Sequence, residues 1–262
     1  MAELMRFEAR RRVRGTLVLT LGIGAFVFMI VTIFPSIEAA SGSFESLIQA
    51  YPEPMREAFA IESMTTLEGF LATEVYQFVW LLMLGLYMIY LAGGLVAGDV
   101  ESGRIDLLLA APISRKRVLV EKYLSLLIPI LALNILVPFI VLLAAAWIGK
   151  SLSIVDLAVL HLFSVPYLLL AAAIGLALSV LFSRAEIAKR GGLALLFMLY
   201  LAETVTGGTE FEWVGALSPT RYFSPADILV SGTYDTEGAI IMLVAAFALV
   251  VLSGEWFARA DV

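Results

Sequence analysis

The side chains that most often carry out enzymatic chemistry are sparse in this sequence. The chain has no cysteine and a single histidine, His161, which lies in a long apolar run. One histidine cannot build a metal site by itself, so a packed or pore-lining role is the better interpretation. The sequence GKS at 149–151 matches only the end of a phosphate-binding loop, because Ala144 occupies the earlier glycine position. We therefore expect no catalytic residue, no metal ligand and no cofactor in this chain.

The most distinctive polar segment is GDVESGRIDLLLAAPISRKRVLVEK, residues 98–122, which lies between two long apolar runs. Ile105, Leu108 and Leu109 in this segment have the i, i+3, i+4 spacing of one helix face. Ser102 is the expected N-cap of that short helix, and Pro112 is expected to end it. Such an apolar face suits burial in the groove of a cytosolic subunit.

The end of the same segment predicts the start of a longer helix. Ser114 is the expected N-cap, and Arg115, Lys116 and Arg117 follow it in the first turn. Cations there oppose the helix dipole at a cost of about 0.3–1 kcal/mol each. Lipid phosphate or an acidic partner surface would offset that cost, and the sequence is compatible with both.

Composition indicates that a lipid bilayer is the main solvent of these elements. The 262 residues are 61% hydrophobic and 15% charged, whereas about a quarter of a soluble domain is charged. Apolar runs of about 18 residues or more predict membrane spans. We predict a single all-α polytopic membrane domain over residues 1–262 with six transmembrane helices, at 16–34, 75–97, 118–148, 157–182, 191–202 and 239–252.

The basic residues predict the orientation of this domain. With the N-terminus inside, 14 of the 17 lysine and arginine residues fall on the cytoplasmic side. Both termini are then cytoplasmic, with an amphipathic helix at 1–14 and an outer loop at 36–74. A second outer segment, 204–238, is too broken by proline and glycine to span, yet apolar enough to be re-entrant or interfacial. We expect a multi-pass protein of the plasma membrane that contacts lipid and no nucleic acid.

Small residues within the spans predict close helix packing. Gly94 and Gly98 form a G-x-x-x-G pair, and Ala171, Gly175 and Ser179 share one face of the fourth span. Packing within one subunit and packing between two subunits both fit this pattern.

One acidic residue lies close to the outer end of a span. Glu203 directly follows the apolar run 191–202. An ionisable residue at that depth is a functional-site hypothesis, and we interpret it as an outer gate or as a plain helix end.

Three parts of the sequence resemble the ABC-2 type permeases, which are the membrane subunits of ABC exporters. The segment SPTRYFSPADILVSGTYD is similar to the family's stretch before the last span, and FARADV at the C-terminus resembles F-x-R-R-D-[IVL], with Ala260 replacing one arginine. Residues 98–122 resemble the family signature, an acidic pair and glycine followed by Leu-Leu, Pro-x-Ser-Arg and a lysine. In this chain the signature positions are Asp99, Glu101, Gly103, Leu107, Leu108, Pro112, Ser114, Arg115 and Lys122.

The resemblance implies an ATP-driven exporter. Such permeases pair with a second permease subunit, identical or different, and with two copies of a cytosolic ATPase that binds ATP and Mg²⁺. Motion of the ATPase enters the membrane through the N-terminal helix and through the loop that corresponds here to residues 98–117. The predicted coupling residues of that loop are Asp99, Glu101, Gly103, Ile105, Leu108, Leu109, Pro112, Ser114 and Arg115.

The alternative is a stand-alone membrane protein, either a secondary transporter or a scaffold of a membrane complex. A secondary transporter is expected to show internal repeats and carboxylates near the bilayer midplane. We find no such repeat, and the spans are almost free of charge. The exported substrate cannot be read from the sequence beyond a hydrophobic or amphipathic class.

Overall fold

The structure is a computed structural model that describes residues 3–39, 65–110 and 113–259, and every regular element in these ranges is helical. The first four helices are α1, Glu3–Ala39, α2, Leu67–Gly93, α3, Ala97–Glu101, and α4, Arg104–Leu109. The next three are α5, Arg115–Trp147, α6, Ile154–Leu181, and α7, Ala185–Thr206. The last are α8, Glu212–Gly215, a 3₁₀ turn, Pro219–Tyr222, α9, Pro225–Leu229, and α10, Thr236–Arg259.

Five of these helices are long and apolar enough to cross a bilayer, namely α1, α2, α5, α6 and α10. They correspond to the first four predicted spans and the last one. Their outward side chains include fully apolar residues with large exposed areas, such as Val18, Phe139 and Phe247. Lipid would cover such surface in a membrane, whereas in water it would be an aggregation hazard.

The predicted fifth span lies inside α7, which is 22 residues long. At about 1.5 Å per residue this helix is long enough for hydrocarbon. Its composition is more polar than that of the other five, because it carries Glu186, Lys189, Arg190 and Glu203. The buried side of α7 packs against the second half of α2 and against α6.

The first helix contains two elements that were predicted separately from the sequence. The basic residues predicted to form a cytoplasmic helix at 1–14 and the first apolar run belong to one continuous helix, α1. This helix packs mainly along the membrane part of α5. At the other end of α1, Glu38 pairs with Lys150 in the α5–α6 turn, with 2.5 Å between Oε1 and Nζ. Most of the predicted outer loop 36–74 lies outside the described residues.

Helix α6 is the centre of the bundle and packs against α10, α2, α7 and α5. Its small residues allow close approach, and its aromatic residues link it to its neighbours. The hydroxyl of Tyr167 donates to the carbonyl oxygen of Leu81 at 2.6 Å, and the Tyr167 ring stacks on Phe223 at 5.8 Å between centroids. Within segment 204–238, Phe223, Ile228 and Leu229 are buried against protein, whereas Trp213, Leu217 and Val230 are exposed.

Candidate functional site

Five charged side chains from four helices meet at one end of the bundle. Lys122 of α5 is 2% exposed, and its Nζ lies 2.6 Å from Asp99 Oδ2 and 3.0 Å from Glu8 Oε1. Arg104 pairs with Asp99 at 3.0 Å, and Arg12 approaches Glu8 at 3.6 Å. We call these residues, Glu8, Arg12, Asp99, Arg104 and Lys122, the Lys122 cluster.

Burial makes this cluster a strong constraint on the helices that supply it. A buried charge is tolerated only when it is paired and hydrogen-bonded, and removal of one partner leaves the other uncompensated. Lys122 therefore ties α5 to α1 through Glu8 and to α3 through Asp99. The sequence identified Asp99 and Lys122 but missed Glu8 and Arg12. The available signal was the position of Glu8, a carboxylate between Arg6 and the run of three arginines that begins at Arg10.

The acidic pair of the signature makes two separate attachments. Asp99 binds two of the three cations of the cluster, Arg104 and Lys122. Glu101 Oε2 instead accepts a hydrogen bond from the backbone N–H of Ala185 at 3.1 Å, at the first residue of α7. A carboxylate at a helix N-terminus is favoured by the helix dipole and satisfies an otherwise unpaired N–H. The two carboxylates thus bond α3 to α5 and to α7.

The predicted N-cap of the short helix α4 is wrong. Ser102 ends the preceding helix α3, and its hydroxyl donates to the carbonyl oxygen of Gly98 at 2.7 Å. The N-cap residue of α4 is Gly103, whose φ of 68° lies in the left-handed region. Glycine is the residue that adopts this conformation without a steric penalty, so Gly103 allows a sharp corner between α3 and α4.

The predicted apolar face of α4 is divided between the core and the surface. Ile105 is 2% exposed and belongs to the hydrophobic core of the chain itself. Leu108 is half-buried, and the side chain of Leu109 and all of Pro112 lie outside the described residues. The apolar side chain that α4 presents outward is Leu107, which is 77% exposed.

The basic turn that starts α5 is stabilised from within the chain. Ser114 Oγ accepts from the N–H of Arg117, which confirms the predicted N-cap. Arg115 lies 5.9 Å from the ring centroid of Phe257, and its Nη1 lies 3.5 Å from the Phe257 carbonyl oxygen in the last turn of α10. Lys116 pairs with Glu255 of α10 at 2.5 Å. The negative end of the α10 dipole and a carboxylate thus offset the unfavourable position of these cations.

The small residues of the spans pack within the chain. A Cβ added to Gly175 of α6 would lie 2.5 Å from the carbonyl oxygen of Ile89 in α2. Ser179 Oγ, one turn further along α6, accepts from the N–H groups of Val96 and Ala97 at 3.0 Å each, and Ala171 is fully buried on the same helix. The tight turn between α2 and α3 is therefore held against α6.

The G-x-x-x-G pair faces α7. A Cβ added to Gly94 would lie 2.7 Å from Cε of Lys189, and one added to Gly98 would lie 3.9 Å from Cβ of Ala185. Of the two interpretations from the sequence, packing within one subunit accounts for both glycines.

Glu203 lies near the opposite end of α7 from the Lys122 cluster. Its carboxylate accepts a hydrogen bond from the hydroxyl of Thr220, which also contacts the hydroxyl of Ser218 at 2.6 Å. Thr220 belongs to the 3₁₀ turn of segment 204–238. Glu203 thus connects α7 to this segment, an arrangement compatible with an outer gate and with a helix end.

A second polar group lies inside the bundle, around His161. The hydroxyl of Tyr76 lies 3.1 Å from His161 Nε2, and Asn134 Oδ1 lies 3.1 Å from His161 Nδ1. A neutral imidazole protonated at Nδ1 satisfies both contacts. Tyr76 and Trp80 come from Ala72–Leu84, which is wound as a π-helix, a form that is frequent at functional sites. The sequence placed His161 in a packed or pore-lining role, and it did not identify the π-helix or Asn134.

Comparison with known proteins gives one family. The sequence profile of the ABC-2 family transporter proteins matches residues 2–262. No curated protein matches the chain. The match covers the Lys122 cluster, the corner at Gly103 and all six long helices. The chain therefore belongs to the ABC-2 transporter family and is the membrane permease subunit of an ABC transporter.

Proposed function

We propose that this chain is the transmembrane subunit of an ATP-driven exporter of a hydrophobic or amphipathic substrate. It would act with two copies of a cytosolic ATPase, which bind ATP and Mg²⁺, and with a second permease subunit, identical or different. Membership of the ABC-2 family supports a partner ATPase. The apolar cavities between the helices, such as the one of about 450 Å³ between α5, α6 and α10, support a substrate or a lipid with apolar groups.

The proposed topology has six spans, with α7 as the fifth and both termini in the cytoplasm of a plasma-membrane protein. The length of α7 and its packing against α2 and α6 support its assignment as a span. The charged residues of α7 lie near its ends, with Glu186, Lys189 and Arg190 at one and Glu203 at the other. The excess of basic residues at the Lys122 end supports a cytoplasmic location for that end.

The observation that carries the proposal is the position of α4. It presents Leu107 outward, while its neighbour α3 is bonded through Asp99 to α5 and through Glu101 to α7. In the proposed mechanism the ATPase contacts Leu107 and the corner at Gly103. Closure of the ATPase dimer then displaces α3 and α4, and the Lys122 cluster transmits this displacement to α1 and α5.

The same displacement would reach the opposite end of the bundle through α7. Glu101 contacts the first residue of α7, and Glu203 near the end of α7 contacts Thr220. We propose that Glu203 and segment 204–238 form an outer gate. The two contacts lie on one continuous helix, which supports this route.

The proposal is tested by co-purification of an ATPase with the chain from native membranes. The wild-type chain should retain a protein that hydrolyses Mg-ATP. Leu107→Asp should weaken this association more than tenfold, because burial of a leucine contributes roughly 1.5–3 kcal/mol and tenfold corresponds to about 1.4 kcal/mol. Absence of any ATPase from the wild-type sample would contradict the proposed function.

Val230→Asp is the matched control for this experiment. Like Leu107, Val230 is an exposed apolar residue, but it lies in segment 204–238, at the end of the short helix α9. The control should retain the ATPase at the wild-type ratio. Equal losses in the two variants would show a general defect of membrane insertion instead of a local interface.

A further inference from the structure

A cleft of about 400 Å³ opens beside the Lys122 cluster, between α1, the end of α2 and the start of α7. Its walls carry five cationic side chains and two carboxylates. The carboxylates, Glu8 and Asp99, are already paired within the cluster. The cationic side chains are Arg11, Arg12, Arg104, Lys122 and Lys189.

Two of these cations form no ion pair in the part of the chain that the structure describes. Neither Arg11 nor Lys189 makes an ion pair with a carboxylate anywhere in residues 3–39, 65–110 and 113–259. The Lys189 ammonium lies 4.6 Å from the ring centroid of Tyr90, which fixes it at the cleft. Tyr87 and Tyr90 also line the cleft, and neither hydroxyl has a hydrogen-bond partner among the described residues. These two cations and two phenol hydroxyls are donors of the kind that bind a phosphate group.

The level of the cleft relative to the membrane indicates which kind of molecule supplies the phosphate group. On α1 the last charged residue is Arg14, and Thr16 begins the uncharged run. The cleft is lined by Arg11, Gly15 and Thr16, so it lies at the level where charge gives way to hydrocarbon. Tyrosine is enriched at this level of a membrane. Val18 follows Arg11 and Gly15 on the same face of α1 and is apolar and exposed, which provides a surface for acyl chains.

We propose that this cleft binds the phosphate headgroup of an anionic membrane phospholipid. The headgroup lies between Arg11 of α1 and Lys189 of α7, and its acyl chains lie along the exposed apolar face of α1. A bound lipid bridges α1 and α7 beside the Lys122 cluster. The inference does not depend on the partner ATPase, because it concerns the chain alone.

The test measures lipid binding to the purified full chain in detergent by native mass spectrometry. Phosphatidylglycerol and phosphatidylcholine with the same short acyl chains are titrated separately. The wild-type chain should bind phosphatidylglycerol more tightly. Arg11→Gln and Lys189→Gln should each weaken this binding about fivefold, which corresponds to ~1 kcal/mol per cation near the membrane surface. The double variant should lose about 25-fold, and binding of phosphatidylcholine should not change.

Arg14→Gln is the matched control, because Arg14 is an exposed arginine of the same helix that does not line the cleft. It should bind phosphatidylglycerol as the wild type does. Equal affinity for the two lipids, or equal effects of Arg14→Gln and the cleft variants, would overturn the proposal. Inorganic phosphate and glycerol phosphate form the soluble arm of the test. If either displaces phosphatidylglycerol at submillimolar concentration, the site belongs to a soluble phosphate compound and the lipid assignment is wrong.

Discussion

Replacement of Lys122 by methionine should destabilise the chain strongly. Methionine keeps most of the volume of the lysine stem, so the change removes the charge without opening a large cavity. Removal of one partner from a buried ion pair costs about 3–5 kcal/mol. Asp99 would keep Arg104 at 3.0 Å and Glu8 would keep Arg12 at 3.6 Å. We therefore expect the lower end of that range, about 3 kcal/mol.

The assay is a denaturant titration in detergent micelles, followed by circular dichroism, that gives the free energy of unfolding. Lys116→Met is the control, because Lys116 lies on the same helix with its side chain half exposed. An exposed ion pair contributes little, so this variant should unfold close to the wild type. The double variant Lys122→Met with Asp99→Asn should recover part of the loss, since it removes the carboxylate that has lost its buried partner and keeps only the more exposed Arg104. A loss below about 1 kcal/mol for Lys122→Met would refute the argument that this charge is buried and paired.

Three further results are expected. Gly175→Ala should lower the free energy of unfolding by about 1–3 kcal/mol, because its Cβ would lie 2.5 Å from the backbone oxygen of Ile89. Glu203→Gln should change the rate of ATP hydrolysis by the assembled transporter without changing the amount of ATPase bound, if Glu203 belongs to a gate. A membrane-impermeant thiol reagent applied to intact cells should label Ser151→Cys and should not label Ser183→Cys.

Each of these results has a control. Gly22→Ala adds a methyl group where no atom lies within 4 Å, so it should not destabilise the helix. Glu210→Gln replaces an exposed carboxylate of segment 204–238 and should leave hydrolysis unchanged. The wild-type chain has no cysteine, so it supplies the unlabelled background for the topology test. The reverse labelling pattern would invert the proposed orientation, and an unchanged hydrolysis rate in Glu203→Gln would leave Glu203 as a helix end.

The long helices of the fold could be predicted from the sequence. A run of apolar residues longer than a bilayer needs is a strong signal, and the long helices appear where the apolar runs indicate them. The N-cap at Ser114 was also predictable, because it depends on residues within one turn. Gly103 shows where such local reasoning fails. Gly103 is the N-cap, so α4 starts one residue later than an N-cap at Ser102 predicts. Serine and glycine are both common N-cap residues, so residue type alone did not distinguish them.

Contacts between distant parts of the chain could not be predicted. Glu8 and Lys122 are 114 residues apart, and no local pattern shows that α1 and α5 bring them together. The burial of Ile105 has the same origin, because helix spacing gives a face but not the neighbour that covers it. The resemblance to ABC-2 permeases identified Asp99 and Glu101 as important, and the structure adds that one binds Lys122 while the other holds the start of α7.

The central claim is that the Lys122 cluster makes α1 and the α3–α4 corner move as one body when the ATPase binds nucleotide. The most direct test is a distance measurement by electron paramagnetic resonance between spin labels on Phe7→Cys and Ser102→Cys, both exposed positions, in the complex with the ATPase. We predict one narrow distance that is the same without nucleotide and with a non-hydrolysable ATP analogue. Lys122→Met should broaden that distance and make it nucleotide-dependent. A wild-type distance that changes with nucleotide, or a Lys122→Met distance as narrow as that of the wild type, would contradict the account.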